Sequence, residues 1–277
     1  MTAATQPLMA VSNTLLMTRR GWDDLVQGLV SWRIWHLMGT STIRRRYSRS
    51  RVGQFWTTIT TAVMSVVMGF TWSILWHLPL GDILPFITGS LILWGFLTGS
   101  IQDSTNVMIT SGHYFLNQGM SFSTPIYALV YCQLITLLHN MIIIVVILII
   151  FPPSLGLDVL LFIPGFLLTL ITVFWVSCVV SVFCARYRDV IQLVATVLTT
   201  AMYVTPVMFK PDFIPKEYQW INMINPFAVF LSIIRDPLFG REVPWENWVI
   251  ASAITVVGAV LTLSFIGRFR KRVIYWI

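Results

Sequence analysis

Charged residues are scarce in this chain: Asp, Glu, Lys and Arg make up 10% of its 277 residues, where a soluble domain carries about a quarter. So few charges cannot cover a water-facing surface, and with 56% hydrophobic residues the surrounding solvent is read as lipid. The net charge of +7 does not mark a nucleic-acid binder, because the bases sit between apolar blocks and form no separable basic domain. Cysteine is rare as well. Cys132, Cys178 and Cys184 include no CxxC pair and lie in or beside apolar segments, which reads as small packing residues and not as a disulfide or metal framework. The three lysines are followed by Pro211, Glu217 and Arg272, so there is no GxxxxGK[ST] loop for nucleotide phosphates. HExxH and GxSxG are missing, and the long apolar stretches hold no acidic residue. An enzyme needs groups that can act together, and a proton-coupled carrier keeps a carboxylate or arginine in its spans; neither is found. Any uphill movement of a cargo must draw its energy from another polypeptide. The first 18 residues are polar and mixed, without the basic start and apolar run of a cleavable signal peptide.

Long apolar runs are abundant. A bilayer core of about 30 Å needs roughly 20 apolar residues in a helix. Six stretches qualify: about 55–77, 83–101, 126–151, 159–183, 190–209 and 248–266. The third is long enough to tilt or protrude. Basic residues gather on the cytoplasmic side of inserted helices. Arg19, Arg20, Arg33, Arg44, Arg45, Arg46, Arg49 and Arg51 precede the first span, Arg186 and Arg188 separate the fourth from the fifth, and Arg268, Arg270, Lys271 and Arg272 follow the sixth. Six spans with both ends cytoplasmic therefore put fourteen of eighteen basic residues inside. Lys210, Lys216, Arg235 and Arg241 fall in the fifth-to-sixth connection, and the connection at about 102–125 carries no base.

Two further segments neither span nor dangle. Residues 19–42 are amphipathic, with Trp22, Leu25, Val26, Leu29 and Val30 at helical spacing and Trp32, Trp35, Leu37 and Met38 widening the stripe. A helix lying in the headgroup plane fits them, as an anchor or as a platform for a cytoplasmic partner. Residues 209–243 are too apolar for a solvated loop, and Pro211, Pro215, Pro226 and Pro237 divide them into short helices. Half-membrane helices that dip in and return are the preferred reading, with a lid of surface helices as the alternative. The expected fold is an all-α integral membrane protein: a cytoplasmic N-terminal segment, 1–54, with an interfacial amphipathic helix, then a six-span transmembrane domain, 55–277, with half-membrane re-entrant helices between spans 5 and 6.

Polar side chains form two stripes inside the spans. Gln54, Thr58, Thr61, Ser65, Gly69, Trp72 and Trp76 share one face of the first span, and Gln192, Thr196, Thr199, Thr200 and Tyr203 one face of the fifth. Such hydroxyls either bond a neighbouring helix or line a passage for a polar, weakly charged cargo, for which aromatic faces beside hydroxyls suit a sugar chain. Gln133, His139 and Asn140 in the third span are expected to face protein, and His139 is read as a packing residue, not a metal ligand. Gly95 and Gly99 have a spacing that permits close helix approach.

The amphipathic start, RRRYSRSRVGQFW (44–56), CARYRDV (184–190), TPVMF (205–209), INPF (224–227) and the ending RFRKRVIYWI (268–277) occur in an order that resembles the ABC-2 permease family, in particular the transmembrane subunits that export O-antigen, capsule and teichoic acid polysaccharides. The resemblance covers nearly the whole chain. It implies a homodimer in the bacterial inner membrane and two ABC ATPase subunits on its cytoplasmic face. ATP and Mg would be bound by those partners and no cofactor by this chain. The first and fifth spans of both copies would surround the route, making Thr58, Thr61, Ser65, Trp72, Trp76, Gln192, Thr196, Thr199, Thr200 and Tyr203 pore-lining. The cargo would be a glycan on an undecaprenyl pyrophosphate carrier, whose head group Arg44, Arg45, Arg46, Arg49 and Arg51 would attract or bind, unless they only fix topology. The base-free 102–125 connection departs from the family pattern and bears on how the ATPase docks. A permease for a drug or other small amphiphile, and a membrane-bound enzyme acting on lipid carriers, are the alternatives.

Overall fold

The computed structural model describes residues 5–118, 120–154, 156–270 and 272–277. Lys271, counted above among the cytoplasmic bases, lies outside the described residues. The chain is built from helices: α1 (Thr5–Val30), α2 (Trp32–Tyr47), α3 (Phe55–Leu75), α4 (Leu80–Thr110), α5 (Gly112–Gln118), α6 (Thr124–Ile150), α7 (Phe162–Arg186), α8 (Asp189–Val204), α9 (Trp220–Ile224), α10 (Pro226–Arg235) and α11 (Trp245–Phe269), with short 3-10 turns between them. No strand occurs among the described residues.

Among the described residues, five helical segments are long and apolar enough to cross a membrane: α3, α4, α6, Leu157–Arg186 and α11. Helix α4 is the buried axis of the bundle and packs against α3, α6, α7, α8 and α10. The others leave broad apolar faces uncovered, such as Val63, Val67 and Phe70 on α3, Val145 and Ile149 on α6, and Val256, Val260 and Leu261 on α11. Apolar surface of that extent is tolerated only in lipid or against another protein.

Three boundaries differ from the sequence expectation, and the packing of the amphipathic segment adds to it. The fifth stretch is helical only as far as Val204, and α8 has 16 residues, about 24 Å at 1.5 Å per residue. Pro206 is the reason: the residue before a proline is pushed to extended backbone, and Thr205 has φ −87° and ψ 139°. The second stretch does not stop at Ile101 but continues helically to Thr110, so most of the expected 102–125 connection is α4 and α5. The amphipathic stretch 19–42 is two helices broken at Ser31, whose ψ of 37° is not helical. Finally, these helices lie against protein along part of their length. Helix α1 crosses α11 so closely that a Cβ at Gly21 or Gly267 would strike the backbone of Leu263 or Met17, and α2 runs along α6. Trp22, Leu29, Trp32 and Leu37 still point outward. The GxxxG pair does not provide such a crossing: a Cβ on Gly95 would meet nothing within 4 Å, and Gly99 faces the Gln133 amide.

Residues 209–243 form the short helices the prolines predict, with Pro211, Pro226 and Pro237 in first turns. Helix α10 is buried from Ala228 to Leu231 and from Ile233 to Arg235, inserted among α4, α7 and α11. A run that looks too apolar for a loop is therefore core.

Candidate functional site

The two polar stripes meet opposite fates within the single chain. On α3 the stripe turns inward. Thr58, Ser65 and Gly69 are buried, Gly69 abuts Leu84 of α4, and Gln54 donates to the Thr136 hydroxyl at 3.2 Å. The Thr61 and Ser65 hydroxyls bond carbonyls one turn back, those of Thr57 and Thr61, at 2.9 and 2.8 Å. Toward the end of α3, Trp72 and Trp76 stack with ring centroids 4.4 Å apart, and Phe213 approaches Trp76 edge-on at 5.1 Å. On α8 the stripe turns outward. Gln192, Thr196, Thr199, Thr200 and Tyr203 are all exposed, Tyr203 to 70%, and the side-chain bonds of Thr196 and Thr199 stay within the helix, to Gln192 and Ala195 carbonyls. A hydroxyl-rich face on an otherwise apolar helix is left for something outside the chain.

The arginine-rich stretch closes α2 and the turn into α3. Arg44, Arg45 and Arg46 occupy the last turn of α2, where cations complement the helix dipole, and Arg49 and Arg51 follow in the turn that Gly53 completes at φ +64°. All five are exposed. Among the described residues only Arg46 of the five is paired to a carboxylate, donating to Asp103 Oδ2 at 3.1 Å; Gln133 Nε2 donates to the same oxygen at 2.9 Å. Arg45 reaches no farther than the Thr42 hydroxyl. Sequence reasoning missed Asp103 because it assigned that residue to a loop. The carboxylate sits two residues past Ile101 on α4, within reach of Arg46, and a helix reading carried beyond Ile101 would have found it.

Nearby, Asp24 of α1 is 4% exposed and accepts from the backbone N–H groups of Phe122 and Ser123 at 3.2 and 3.0 Å. Arg270, after α11, approaches it to 3.8 Å. Burial pushes the Asp24 carboxyl above its ordinary value, against the lowering effect of these hydrogen bonds and of Arg270. One side chain thus ties α1, the start of α6 and the end of α11.

Another ion pair lies toward the other end of α4. Arg235 is 1% exposed and contacts Asp236 Oδ1 through Nε and Nη2, both at 2.7 Å. Its Nη1 donates to the Pro206 carbonyl at 2.8 Å and to Ser90 Oγ at 3.1 Å, and the guanidinium lies 4.1 Å from the Phe86 ring centroid. A buried charge is tolerable only when paired and hydrogen-bonded, and each guanidinium nitrogen of Arg235 has an acceptor. Among the described residues, no group of three or more His, Cys, Asp or Glu could hold a metal ion. The His139 Nδ1 lies 2.7 Å from the Ile135 carbonyl, and its ring packs edge-on to Phe55 at 5.2 Å.

Residues 34–239 match the family described as ABC-2 type transporter, which is more than half of the chain. The chain belongs to the ABC-2 type transporter family. It is also 22% identical, over 230 residues, to two proteins of Klebsiella pneumoniae named O-antigen export system permease protein RfbA, covering 83% of this chain and 88% of each relative. It is thus a multi-pass transport subunit of the membrane, and its family implies an ABC ATPase as partner.

In this ABC-2 permease the scattered motifs touch one another. Asn225 of INPF accepts at Oδ1 from Phe227 N–H at 3.0 Å and Ala228 N–H at 3.4 Å, capping α10. Its Nδ2 donates to Thr205 of TPVMF at 2.9 Å. Arg186 of CARYRDV lies 5.0 Å over the ring of Trp276 in the basic ending. Tyr47 and Thr57, flanking the arginine turn, share a hydroxyl bond of 2.8 Å.

Proposed function

We propose that two copies of this chain form the passage of an ATP-driven exporter that moves undecaprenyl-pyrophosphate-linked polysaccharide, O-antigen-like in kind, across the bacterial inner membrane. The observation that carries this reading is the uncovered stripe Gln192, Thr196, Thr199, Thr200 and Tyr203, which offers hydroxyls and an aromatic but no charge. In a homodimer this face meets the route, where it can exchange hydrogen bonds with sugar hydroxyls without holding them tightly. Helix α8 and the extended residues after it serve as the sixth crossing, with both termini cytoplasmic. Residues 209–243 then form re-entrant short helices on the outer side, and α1 and α2 lie at the cytoplasmic interface. The Trp72 and Trp76 pair gives a flat apolar surface that suits pyranose faces. Arg44, Arg45, Arg49 and Arg51 are available to an anionic head group at roughly 1 kcal/mol per base near the surface, with Arg46 held by Asp103. ATP and Mg belong to two copies of the ATPase partner. The relatives' names support the substrate class.

Deleting the gene is expected to trap lipid-linked glycan inside the cell and strip it from the surface, read by immunoblot of the surface polysaccharide. Purified chain alone is expected to hydrolyse no ATP. Normal surface glycan in the deletion strain overturns the reading; a changed drug susceptibility alongside it moves support to a permease for small amphiphiles.

A further inference from the structure

Beside the buried Arg235 a cleft of 490 Å³ opens between the 206–223 segment, α10 and the chain entering α11. That volume lies within the range of about 300–1,000 Å³ that holds an intact small ligand. Its polar lining is mixed in sign: Asp212, Gln219, Asn222, Arg241, Glu242 and Asn247. Its apolar lining includes Pro206, Pro211 and Pro244, whose rings have few conformations to lose on binding.

Several of these groups are unused by the fold. The Asn222 amide oxygen is buried and accepts no hydrogen bond. The Arg241 guanidinium rests 4.9 Å from the Phe86 ring centroid and forms no ion pair among the described residues. The wall behind them is already fixed. Asn247 Nδ2 donates to Ser232 Oγ at 3.2 Å, Ser232 Oγ donates to Asp236 Oδ2 at 2.7 Å, and Asp236 is held by Arg235. A ligand therefore meets a preorganised surface.

We propose that this cleft is a carbohydrate subsite, binding a di- to tetrasaccharide stretch of the exported glycan through its vicinal hydroxyls. The chemistry selects this class. A sugar hydroxyl both donates and accepts. Asp212, Glu242 and the Asn222 oxygen accept hydrogen bonds from its O–H, while Arg241 and the amide nitrogens of Gln219 and Asn247 donate to its oxygen. Carboxylates facing an arginine disfavour a strongly charged ligand of either sign, so a phosphate or a metal ion is a poor fit. The proline faces suit the C–H surface of a pyranose. Phe86, under the Arg235 and Arg241 guanidinium groups of the cleft, and Asp103 beside Arg46 are 17 positions apart on α4, about 25 Å along a helix. The subsite thus lies at the opposite end of the bundle from the arginine turn, where a chain emerging from the passage would be held. This inference rests on the exporter reading.

The test uses full-length protein in detergent and, as probe, di- to tetrasaccharides from partial acid hydrolysis of the surface polysaccharide of the cells that make it. Binding is read by saturation-transfer NMR. Wild type is expected to bind, and Asp212→Asn, Glu242→Gln and Asn222→Leu each to weaken binding roughly tenfold with unchanged thermal unfolding. Inorganic pyrophosphate is expected not to compete. Asp212 and Glu242 are exposed, so their amide variants fold. No transfer to wild type, or equal binding by all three variants, overturns the subsite. If the deletion strain has lost its surface glycan and yet the cleft binds nothing, the subsite alone fails. If surface glycan survives the deletion, the exporter reading fails first.

Discussion

Helices α3 and α8 carry the same kind of polar stripe and use it in opposite ways. On α3 the stripe includes Ser65 and Gly69, whose small side chains let α4 approach until Leu84 fills the gap. On α8 it is made of Gln192, three threonines and Tyr203, with no glycine or serine to admit a neighbour. The remaining faces agree with this division. Ile59, Val63, Val66, Val67 and Phe70 on the far side of α3 are exposed, whereas α8 buries Leu198 on its far side. Spacing identifies a stripe; the size of its residues decides whether it becomes a seam or a free surface.

The contrast also depends on how α8 ends. Arg235 grips the Pro206 carbonyl just beyond α8, so Arg235→Met should break the comparison most severely. It leaves Asp236 buried without its partner, a loss of about 3–5 kcal/mol, read as a lower unfolding temperature in detergent. Replacing both partners with apolar residues should recover much of that loss; if the double variant is no better than the single one, the pair is not the cause. A smaller effect is expected in the α3 seam. A Cβ at Gly69 would lie 2.5 Å from the Leu84 Cδ1, so Gly69→Leu overpacks the seam at a cost of about 1–3 kcal/mol by the same measurement. The smallest stability change belongs to the free face. Thr199→Leu and Tyr203→Leu should stay within about 0.5 kcal/mol of wild type while lowering surface glycan. In line with this, Thr199→Cys should react readily with a hydrophilic maleimide and Ser65→Cys slowly. Rapid labelling at position 65 would erase the distinction between the two stripes.

Much of this architecture is legible in the sequence. The apolar runs give the five long spans, because a run of about 20 residues without charge has no other stable place. The prolines of 209–243 mark its short helices because each removes a backbone donor and fixes its own φ. Other features were hidden by the same reasoning. Asp103 and the end of α4 were lost because hydropathy stops where the lipid does, while the helix continues. Arg235 was counted among loop bases because its local sequence is ordinary; only the approach of Ser90 and Pro206, 145 and 29 positions away, to the adjacent Arg235–Asp236 pair makes a site for it. The break at Ser31 and the crossing of α1 on α11 carry no periodic signal.

The sequence by itself determined that this chain lives in lipid, that its spans are helical, and which faces carry hydroxyls. These follow from interactions within one helix turn and from the cost of charge in an apolar medium. The tertiary structure alone decided which hydroxyl face is covered and which is open, and which distant groups, Ser90 and Pro206, join Asp236 around the buried arginine. Those outcomes depend on distances between residues dozens of positions apart, which neither composition nor spacing encodes.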